Sequence, residues 1–219
     1  MPVNLEQARA NMIEQQVRTW EVLDPDVLDL LMTLRREDFV PPAYARLAYA
    51  ETAIPLGHGA AMLPPALEAK LLQALQLRKT DKVLEVGTGS GYMAALLGAR
   101  CDRVITIEIE PELAAFARQN LERAGVDNVT VIEGDGSGGW PEQAPYDVIL
   151  LSGSVGEIPP ALLTQLKSGG RLLAVVGDVP LMQVRLLTSL GEGRCREEIL
   201  FETSIPRLRN LPERSRFVF

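Results

Sequence analysis

The chain has few of the residues that bind metals or form disulfides. Its two cysteines, Cys101 and Cys195, lie far apart and form no C-x-x-C pair, and His58 is its single histidine. A zinc site or a disulfide framework needs clustered cysteine and histidine residues. The sequence therefore predicts no metal site and no disulfide framework, and we interpret both cysteines as packing residues.

Basic residues and long apolar runs are also scarce. The chain has 22 Lys and Arg residues against 29 Asp and Glu residues, which gives a net charge of −7 at pH 7. A general nucleic-acid binder needs a basic face to neutralise phosphates. No stretch approaches the roughly 20 apolar residues of a membrane span, and no basic-plus-apolar N-terminal signal is present. We therefore expect a cytosolic protein that binds neither nucleic acid nor membrane; its oligomeric state stays open.

The length of 219 residues and an apolar content of 47% fit a single domain over residues 1–219. Capping and helical spacing predict a first helix from Asn4 to about Thr19 and a second after Asp24-Pro25. Residues 39–65 are rich in Pro and Gly and predict an irregular connection. We therefore expect a helical cap and loop over residues 1–65, packed on a core over residues 66–219.

The core residues alternate between strand and helix patterns, which predicts a doubly wound, mostly parallel α/β sheet. A final pair of segments, 182–190 and 194–204, flanks Gly191-Glu192-Gly193 and predicts an antiparallel hairpin. The preceding segments are helix 66–75, strand 82–86, helix 92–97, strand 103–108, helix 111–123, strand 129–133, strand 146–151, helix 159–166 and strand 171–176.

The run Val83–Tyr92 ends a predicted strand in the glycine-rich turn G-x-G-x-G. Such a turn exposes backbone to a nucleotide-like cofactor at the carboxyl end of a strand. A dinucleotide site needs a third glycine five positions after Gly87, where this chain has Tyr92. The pattern therefore favours S-adenosylmethionine over NAD, and an oxidoreductase is the weaker alternative.

Acidic residues close two further predicted strands. Glu108 stands about 20 residues beyond the glycine turn, where an acid accepts hydrogen bonds from ribose hydroxyls. Glu110 is the alternative candidate for this role. Asp135 lies between two glycines, where an acid meets an adenine amino group, and a turn role is the alternative. Together with Glu85 and Gly87, these strand ends predict one S-adenosylmethionine site.

The chain resembles the protein-L-isoaspartate O-methyltransferase family over nearly its full length. The resemblance implies a Rossmann-like fold and transfer of methyl from S-adenosylmethionine, leaving S-adenosylhomocysteine, to isoaspartyl carboxylates of damaged proteins or peptides. It rests on Met12–Val17, Arg36–Pro41, Leu56–Gly59, Glu85–Tyr92, Gly134–Gly136, Gly139–Pro141 and Ala144–Asp147. The cofactor-binding residues expected on this basis are Glu85, Gly87, Thr88, Gly89, Ser90, Gly91, Glu108, Ile109, Asp135 and Gly136.

One segment departs from the family pattern. The family has the form G-Q-T-I-S-Q-P with a serine at the site of transfer, whereas residues 59–65 read Gly-Ala-Ala-Met-Leu-Pro-Pro and place Leu63 at the serine position. We assign no catalytic residue, and we expect His58, Gly59, Ala60 and Leu63 to line the substrate site. For His58, a structural role in the loop is the alternative.

The departure leaves three hypotheses open. The first is methylation of isoaspartyl carboxylates, since a carboxylate is already ionised at neutral pH and needs positioning rather than a strong base. The second is methylation of a different, unidentified acceptor, since an apolar wall beside an anionic carboxylate leaves it poorly solvated. The third is a non-catalytic module that binds S-adenosylmethionine or a partner.

Overall fold

The computed structural model describes residues 4–191 and 193–211 and has a seven-stranded sheet at its centre. The strand order is β5-β4-β3-β6-β7-β8-β9, with parallel pairing from β5 to β7 and antiparallel pairing from β7 to β9. The strands are β3 (Lys82–Val86), β4 (Arg103–Glu108), β5 (Val129–Glu133), β6 (Tyr146–Val155), β7 (Leu166–Asp178), β8 (Leu181–Gly191) and β9 (Arg194–Thr203). The doubly wound, mostly parallel sheet is confirmed.

The helices begin where the capping residues predict. Asn4 accepts a hydrogen bond from the Gln7 backbone N–H at 3.1 Å, and Asp24 accepts one from the Asp26 N–H at 2.9 Å. The helices are α1 (Leu5–Met12), α2 (Pro25–Thr33), α3 (Pro65–Leu75), α4 (Tyr92–Gly98), α5 (Pro111–Arg123) and α6 (Pro160–Leu163). After α1 the chain continues through a π-helical turn, Ile13–Val17, to a short 3₁₀ turn that ends at Trp20.

Residues 39–65 are not wholly irregular, and that expectation was wrong in part. They contain two antiparallel strands, β1 (Ile54–Gly57) and β2 (Ala60–Met62). His58 and Gly59 form the two-residue turn between them, with φ angles of 52° and 78°. Two consecutive residues at positive φ match the twist of a tight hairpin, which explains how so short a loop joins the strands.

Two boundaries on the C-terminal side also differ from expectation. The helix predicted over 159–166 is only the four residues of α6, because Leu166 already pairs with Tyr146 and begins β7. The predicted antiparallel hairpin is confirmed as β8 and β9, although Glu192 in its turn lies outside the described residues. Beyond β9, Ser154 in β6 bridges to Arg207, so the chain returns to the sheet.

The core lies on both faces of the sheet. Val83 belongs to a hydrophobic cluster that includes Met12 and Val17 of the N-terminal cap, whereas the next residue, Leu84, belongs to the cluster on the opposite face. This alternation is expected of a strand covered on both sides. Within residues 4–191 and 193–211, no helix is long and apolar enough to cross a membrane. The division at residue 65 within a single domain stays a prediction.

Candidate functional site

The main cavity lies at the carboxyl ends of β3, β4 and β5. It encloses about 770 Å³ of space including its open mouth, which is the size of a small-molecule cofactor site. A doubly wound sheet places ligands at this edge, where the strand order reverses. Its lining from these strand ends comprises Val86, Gly87, Gly89, Ile107, Glu108, Ile109, Glu110, Asp135, Gly136 and Ser137.

The glycine loop fits a ligand that approaches bare backbone. Gly87 and Gly89 both line the main cavity and have positive φ angles, of 95° and 55°. An ideal Cβ at Gly87 would lie 2.8 Å from Leu208 Cδ2, so a side chain there would have to displace Leu208. The Gly87 N–H donates to the Ile107 carbonyl oxygen at 2.9 Å and ties the loop to β4. The loop is therefore held close to the strand with its surface free of side chains.

Gly91 has a different place from the other two glycines. It lines neither of the cavities described here, and an ideal Cβ on it would lie 3.3 Å from Ala117 Cβ and Leu121 Cγ of α5. The absence of a side chain therefore allows α4 to begin close against α5. Its assignment to the cofactor stays a prediction, and the structure supports a packing role instead.

Glu108 is fixed by the backbone on both sides. One carboxylate oxygen accepts from the Gly89 N–H at 2.8 Å and the other from the Glu110 N–H at 3.1 Å. The residue is 6% exposed and lines the main cavity. Each carboxylate oxygen has two lone pairs, so both keep acceptor capacity for ligand hydroxyls. This arrangement suits the recognition of a ribose diol.

Asp135 and Gly136 form the wall at the end of β5. Burial acts to raise the pKa of Asp135, but hydrogen bonds from Ser137 and Asn210 outweigh it and lower the pKa. An ideal Cβ at Gly136 would lie 2.7 Å from Val86 Cγ1, so the backbone packs directly on β3. An ionised acceptor beside bare backbone is the chemistry that an amino-group donor of an adenine requires.

A smaller inner cavity continues from the main one toward β2. Glu85, Thr88 and Ser90 line it, together with Leu63, so these four predicted residues gather here rather than in the main cavity. Gly87, Gly89 and Ser152 line both cavities and join them. The predicted site therefore divides into an outer and an inner end.

Glu85 is fully buried at the inner end. Burial raises its pKa to about 7, and hydrogen bonds from two hydroxyl groups partly oppose the shift. The Ser152 hydroxyl donates to one carboxylate oxygen at 2.6 Å and the Thr106 hydroxyl donates to the other at 2.7 Å. Thr88 in turn lies 2.6 Å from Thr106, oxygen to oxygen. Thr88 therefore acts on Glu85 indirectly, because its hydroxyl contacts the Thr106 hydroxyl that donates to the Glu85 carboxylate.

A buried ion pair holds the backbone of the segment that contains Leu63. Arg36, which is 1% exposed, donates to the Leu63 carbonyl oxygen at 2.6 Å and to that of Ala48 at 2.9 Å. Its remaining nitrogen pairs with Glu68, which lines the inner cavity. Burial raises the pKa of Glu68 to about 7 despite the opposing Arg36 charge. Sequence analysis quoted Arg36 only in a motif and missed Glu68, whose signal was an acid inside an apolar helix.

The β1–β2 turn forms one rim of the main cavity. His58, Gly59 and Ala60 all line it, and their assignment to the substrate stays a prediction. The His58 ring nitrogens lie 3.3 Å from Glu110 Oε2 and 3.0 Å from Glu112 Oε2. The hairpin is therefore joined to the start of α5, next to the acids that follow β4.

The opposite roof of the cavity was missed by sequence analysis. Pro206, Arg207, Leu208 and Arg209 line the main cavity although they follow the last strand. The residues from Ile205 to Leu211 carry no motif typical of a cofactor site, and their sequence shows only two arginines in a segment after a hairpin. Only the tertiary fold brings them here.

Comparison with known proteins gives consistent results. The family model for protein-L-isoaspartate(D-aspartate) O-methyltransferase matches residues 7–200. A protein-L-isoaspartate O-methyltransferase of Koribacter versatilis is 46% identical over 186 residues, which cover 85% of this chain and 83% of that protein. One of Myxococcus xanthus is 47% identical over 156 residues, covering 71% of this chain and 74% of that protein.

Solved structures agree on the fold. A protein-L-isoaspartate O-methyltransferase structure matches with a TM-score of 0.77 and 26% identity, covering 91% of this chain and 65% of that chain. A Plasmodium falciparum beta-aspartate methyltransferase, solved in complex with S-adenosyl-L-homocysteine, matches with a TM-score of 0.78 and 21% identity, covering 95% of this chain and 99% of that chain.

Proposed function

The chain belongs to the protein-L-isoaspartate(D-aspartate) O-methyltransferase family, and on that premise we propose that it methylates the carboxylate of L-isoaspartyl residues in damaged proteins or peptides. S-adenosylmethionine supplies an activated methyl group on its sulfonium and becomes S-adenosylhomocysteine. The observation that carries the proposal is the main cavity, where Gly87, Glu108 and Asp135 converge from three strand ends.

The chain's residues divide the task of holding the cofactor. The bare backbone of Gly87 and Gly89 allows close approach, Glu108 offers acceptors to the ribose hydroxyls, and Asp135 offers them to the adenine amino group. Ile107 and Ile109 supply apolar surface between the polar groups. This mixture of an apolar lining with a few convergent polar groups is typical of a small-molecule site.

The acceptor group needs positioning more than activation. A carboxylate with an ordinary pKa near 4 is ionised at neutral pH, so the protein needs no strong base. Alignment alone contributes about 7–11 kcal/mol to such reactions. The Arg36 hydrogen bond to Leu63 fixes the backbone of β2 and the residues after it beside the inner cavity. Residues 59–63 therefore offer a rigid backbone edge where the family has polar side chains.

The direct test is transfer of a labelled methyl group from S-adenosylmethionine to an isoaspartyl peptide, with the matching aspartyl peptide as control. We expect transfer to the isoaspartyl peptide alone. Two variants separate size from chemistry at the family's serine position: Leu63→Ser restores a hydroxyl, and Leu63→Ala removes bulk without adding one. Higher transfer in Leu63→Ser than in Leu63→Ala would show that a hydroxyl improves positioning.

A second candidate function is methylation of a different acceptor. It is favoured by the inner cavity, whose described lining combines Leu63 and Met62 with two buried acids, Glu68 and Glu85, and no cationic side chain. An anionic acceptor gains no ion pair there. Binding of S-adenosylhomocysteine without transfer to the isoaspartyl peptide, followed by transfer in Leu63→Ser, would favour this candidate over the first.

A further inference from the structure

Residues 205–211, here called the strap, cross the mouth of the main cavity after the last strand of the sheet. Pro206, Leu208 and Arg209 line the cavity. The match to the family model, residues 7–200, ends before the strap. The strap forms one wall of the cofactor cavity.

The middle of the strap is fastened to the end of β6. The Ser154 N–H donates to the Pro206 carbonyl oxygen at 2.8 Å, and the Leu208 N–H donates to the Ser154 carbonyl oxygen at 2.9 Å. The Ser154 hydroxyl also donates to the Ile205 carbonyl oxygen at 3.1 Å. This short parallel ladder positions Leu208 over Gly87 of the glycine loop.

The far end of the strap is fastened to both rims of the cavity. Arg209 pairs with Glu110 at the start of α5 and donates to the His58 carbonyl oxygen in the β1–β2 turn. Asn210 donates to the Asp135 carboxylate at 2.9 Å. These side-chain contacts are partly exposed, since the Arg209 side chain is 46% exposed to solvent. The ladder at Ser154, by contrast, is buried.

The side-chain contacts of Arg209 and Asn210 differ in strength from the backbone ladder at Ser154. Exposed ion pairs are individually weak and screened by salt, whereas buried backbone hydrogen bonds are costly to break. Arg209 contacts Glu110, which lies two residues after Glu108, and Asn210 contacts Asp135. Glu108 and Asp135 are the acids of the cofactor wall. The two side-chain contacts are therefore easier to break than the ladder.

We propose that the strap is a positioning element of the cofactor site: Arg209 and Asn210 latch it across the cavity, and opening of this latch limits how fast a bound cofactor leaves. The proposal rests on the proposed function, since it takes S-adenosylhomocysteine as the ligand. It assigns to Arg209 an effect on residence time rather than on the chemistry of transfer. Lids of this kind set the rate of product release in many enzymes.

The test measures the dissociation rate of S-adenosylhomocysteine from the full chain by stopped-flow displacement. We expect Arg209→Gln to raise this rate by about fivefold, as expected for loss of one partly exposed charged contact. Raising the ionic strength should accelerate release from the unaltered protein and have a smaller effect on the variant. Arg196→Gln is the matched control, because Arg196 pairs with Thr188 on β8, which pairs with Arg171 at the opposite end of the sheet.

A second measurement does not depend on ligand exchange. Hydrogen exchange at the Leu208 amide, which donates to Ser154, reports whether the ladder stays formed when the latch opens. We expect exchange there to be the same in Arg209→Gln as in the unaltered protein; faster exchange would show that the whole strap detaches and would contradict an opening confined to the latch. An unchanged dissociation rate in Arg209→Gln, or tighter binding by that variant, would overturn the latch while leaving the proposed function intact. Failure of the unaltered protein to bind S-adenosylhomocysteine would overturn both.

Discussion

The outer and inner ends of the pocket hold their acidic groups by different means. At the outer end, Glu108 and Asp135 each accept a backbone N–H from two residues further along the chain. At the inner end, Glu85 depends on Ser152, which lies 67 residues away in sequence, and Glu68 depends on Arg36, 32 residues away. Each acid of the outer end therefore has a local hydrogen bond in addition to a distant one, from Gly89 or Asn210. The acids of the inner end depend on contacts between distant elements.

This difference separates what is robust in the pocket from what is adaptable. A strand-end turn supplies one hydrogen bond to each acid of the outer end wherever the sheet forms, so this end depends less on distant elements than the inner end does. The acceptor end depends on a buried ion pair and a buried carboxylate, whose cost is met only when every partner is present. Substitutions at the two ends should therefore have separable effects on stability and on cofactor binding.

The largest effect should come from breaking the anchor of the inner end. Arg36→Met leaves Glu68 buried without its countercharge and leaves the Leu63 carbonyl without its donor. We expect the free energy of unfolding to fall by about 3–5 kcal/mol. Urea denaturation measures this loss.

The matched control for that change is the double variant Arg36→Met with Glu68→Gln, which removes both charges. It should recover part of the lost stability, since the uncompensated carboxylate is the main cost. An equally large loss in the double variant would mean that the carbonyl contacts, rather than the ion pair, maintain the inner end. Affinity for S-adenosylhomocysteine should change little in any variant that remains folded.

A second prediction concerns the pH dependence that Glu85 contributes. Its pKa is about 7 in the folded protein against an ordinary value of 4.5, so the folded state holds the proton over a range where the unfolded state has released it. Stability from this group is present below about pH 4.5 and is lost as the pH rises through 7. The full shift corresponds to about 3 kcal/mol.

Glu85→Gln should therefore flatten the fall in melting temperature between pH 5 and pH 8, as the neutral amide carries no such penalty. Thermal denaturation of both proteins across this range measures the effect. Parallel pH profiles for the two proteins would show that Glu85 titrates normally and would contradict its burial as the cause.

The smallest of these effects should appear at the outer end, in binding rather than in stability. Glu108→Ala removes the acceptor of the Gly89 N–H and of the ligand hydroxyls. We expect affinity for S-adenosylhomocysteine to fall by about 10- to 100-fold, the range for one or two hydrogen bonds to a charged group. Glu133→Ala is the control, since Glu133 is an exposed acid paired with Glu108 at the end of the neighbouring strand. Calorimetric titration compares the two variants.

The same contrast explains what the sequence predicted and what it missed. Strands, helices and the glycine loop have local signals, and Gly87, Glu108 and Asp135 do lie on one cavity. The β1–β2 hairpin was not predicted because His58 adopts a positive φ angle that glycine or asparagine usually adopts. Gly91 was grouped with the cofactor because its spacing in the motif does not reveal that α5 packs against it.

The inner end had no comparable local signal. Arg36 and Glu68 stand in different helical turns, and nothing in their spacing pairs them. The strap contains no motif, and its place over Gly87 follows only from its ladder with Ser154. Sequence patterns therefore predicted that Gly87, Glu108 and Asp135 lie together at one cavity, whereas the inner end and the roof required the tertiary structure.

The position of the strap in the chain has a consequence for how the protein is made. A ribosome delivers residues 205–211 after β9, so a nascent chain that has reached only β9 carries the glycine loop and its acids beneath an open roof. On the proposed latch, retention of the cofactor begins only once these late residues have emerged and crossed back over the sheet. Cofactor retention thereby reports that synthesis has passed the last strand.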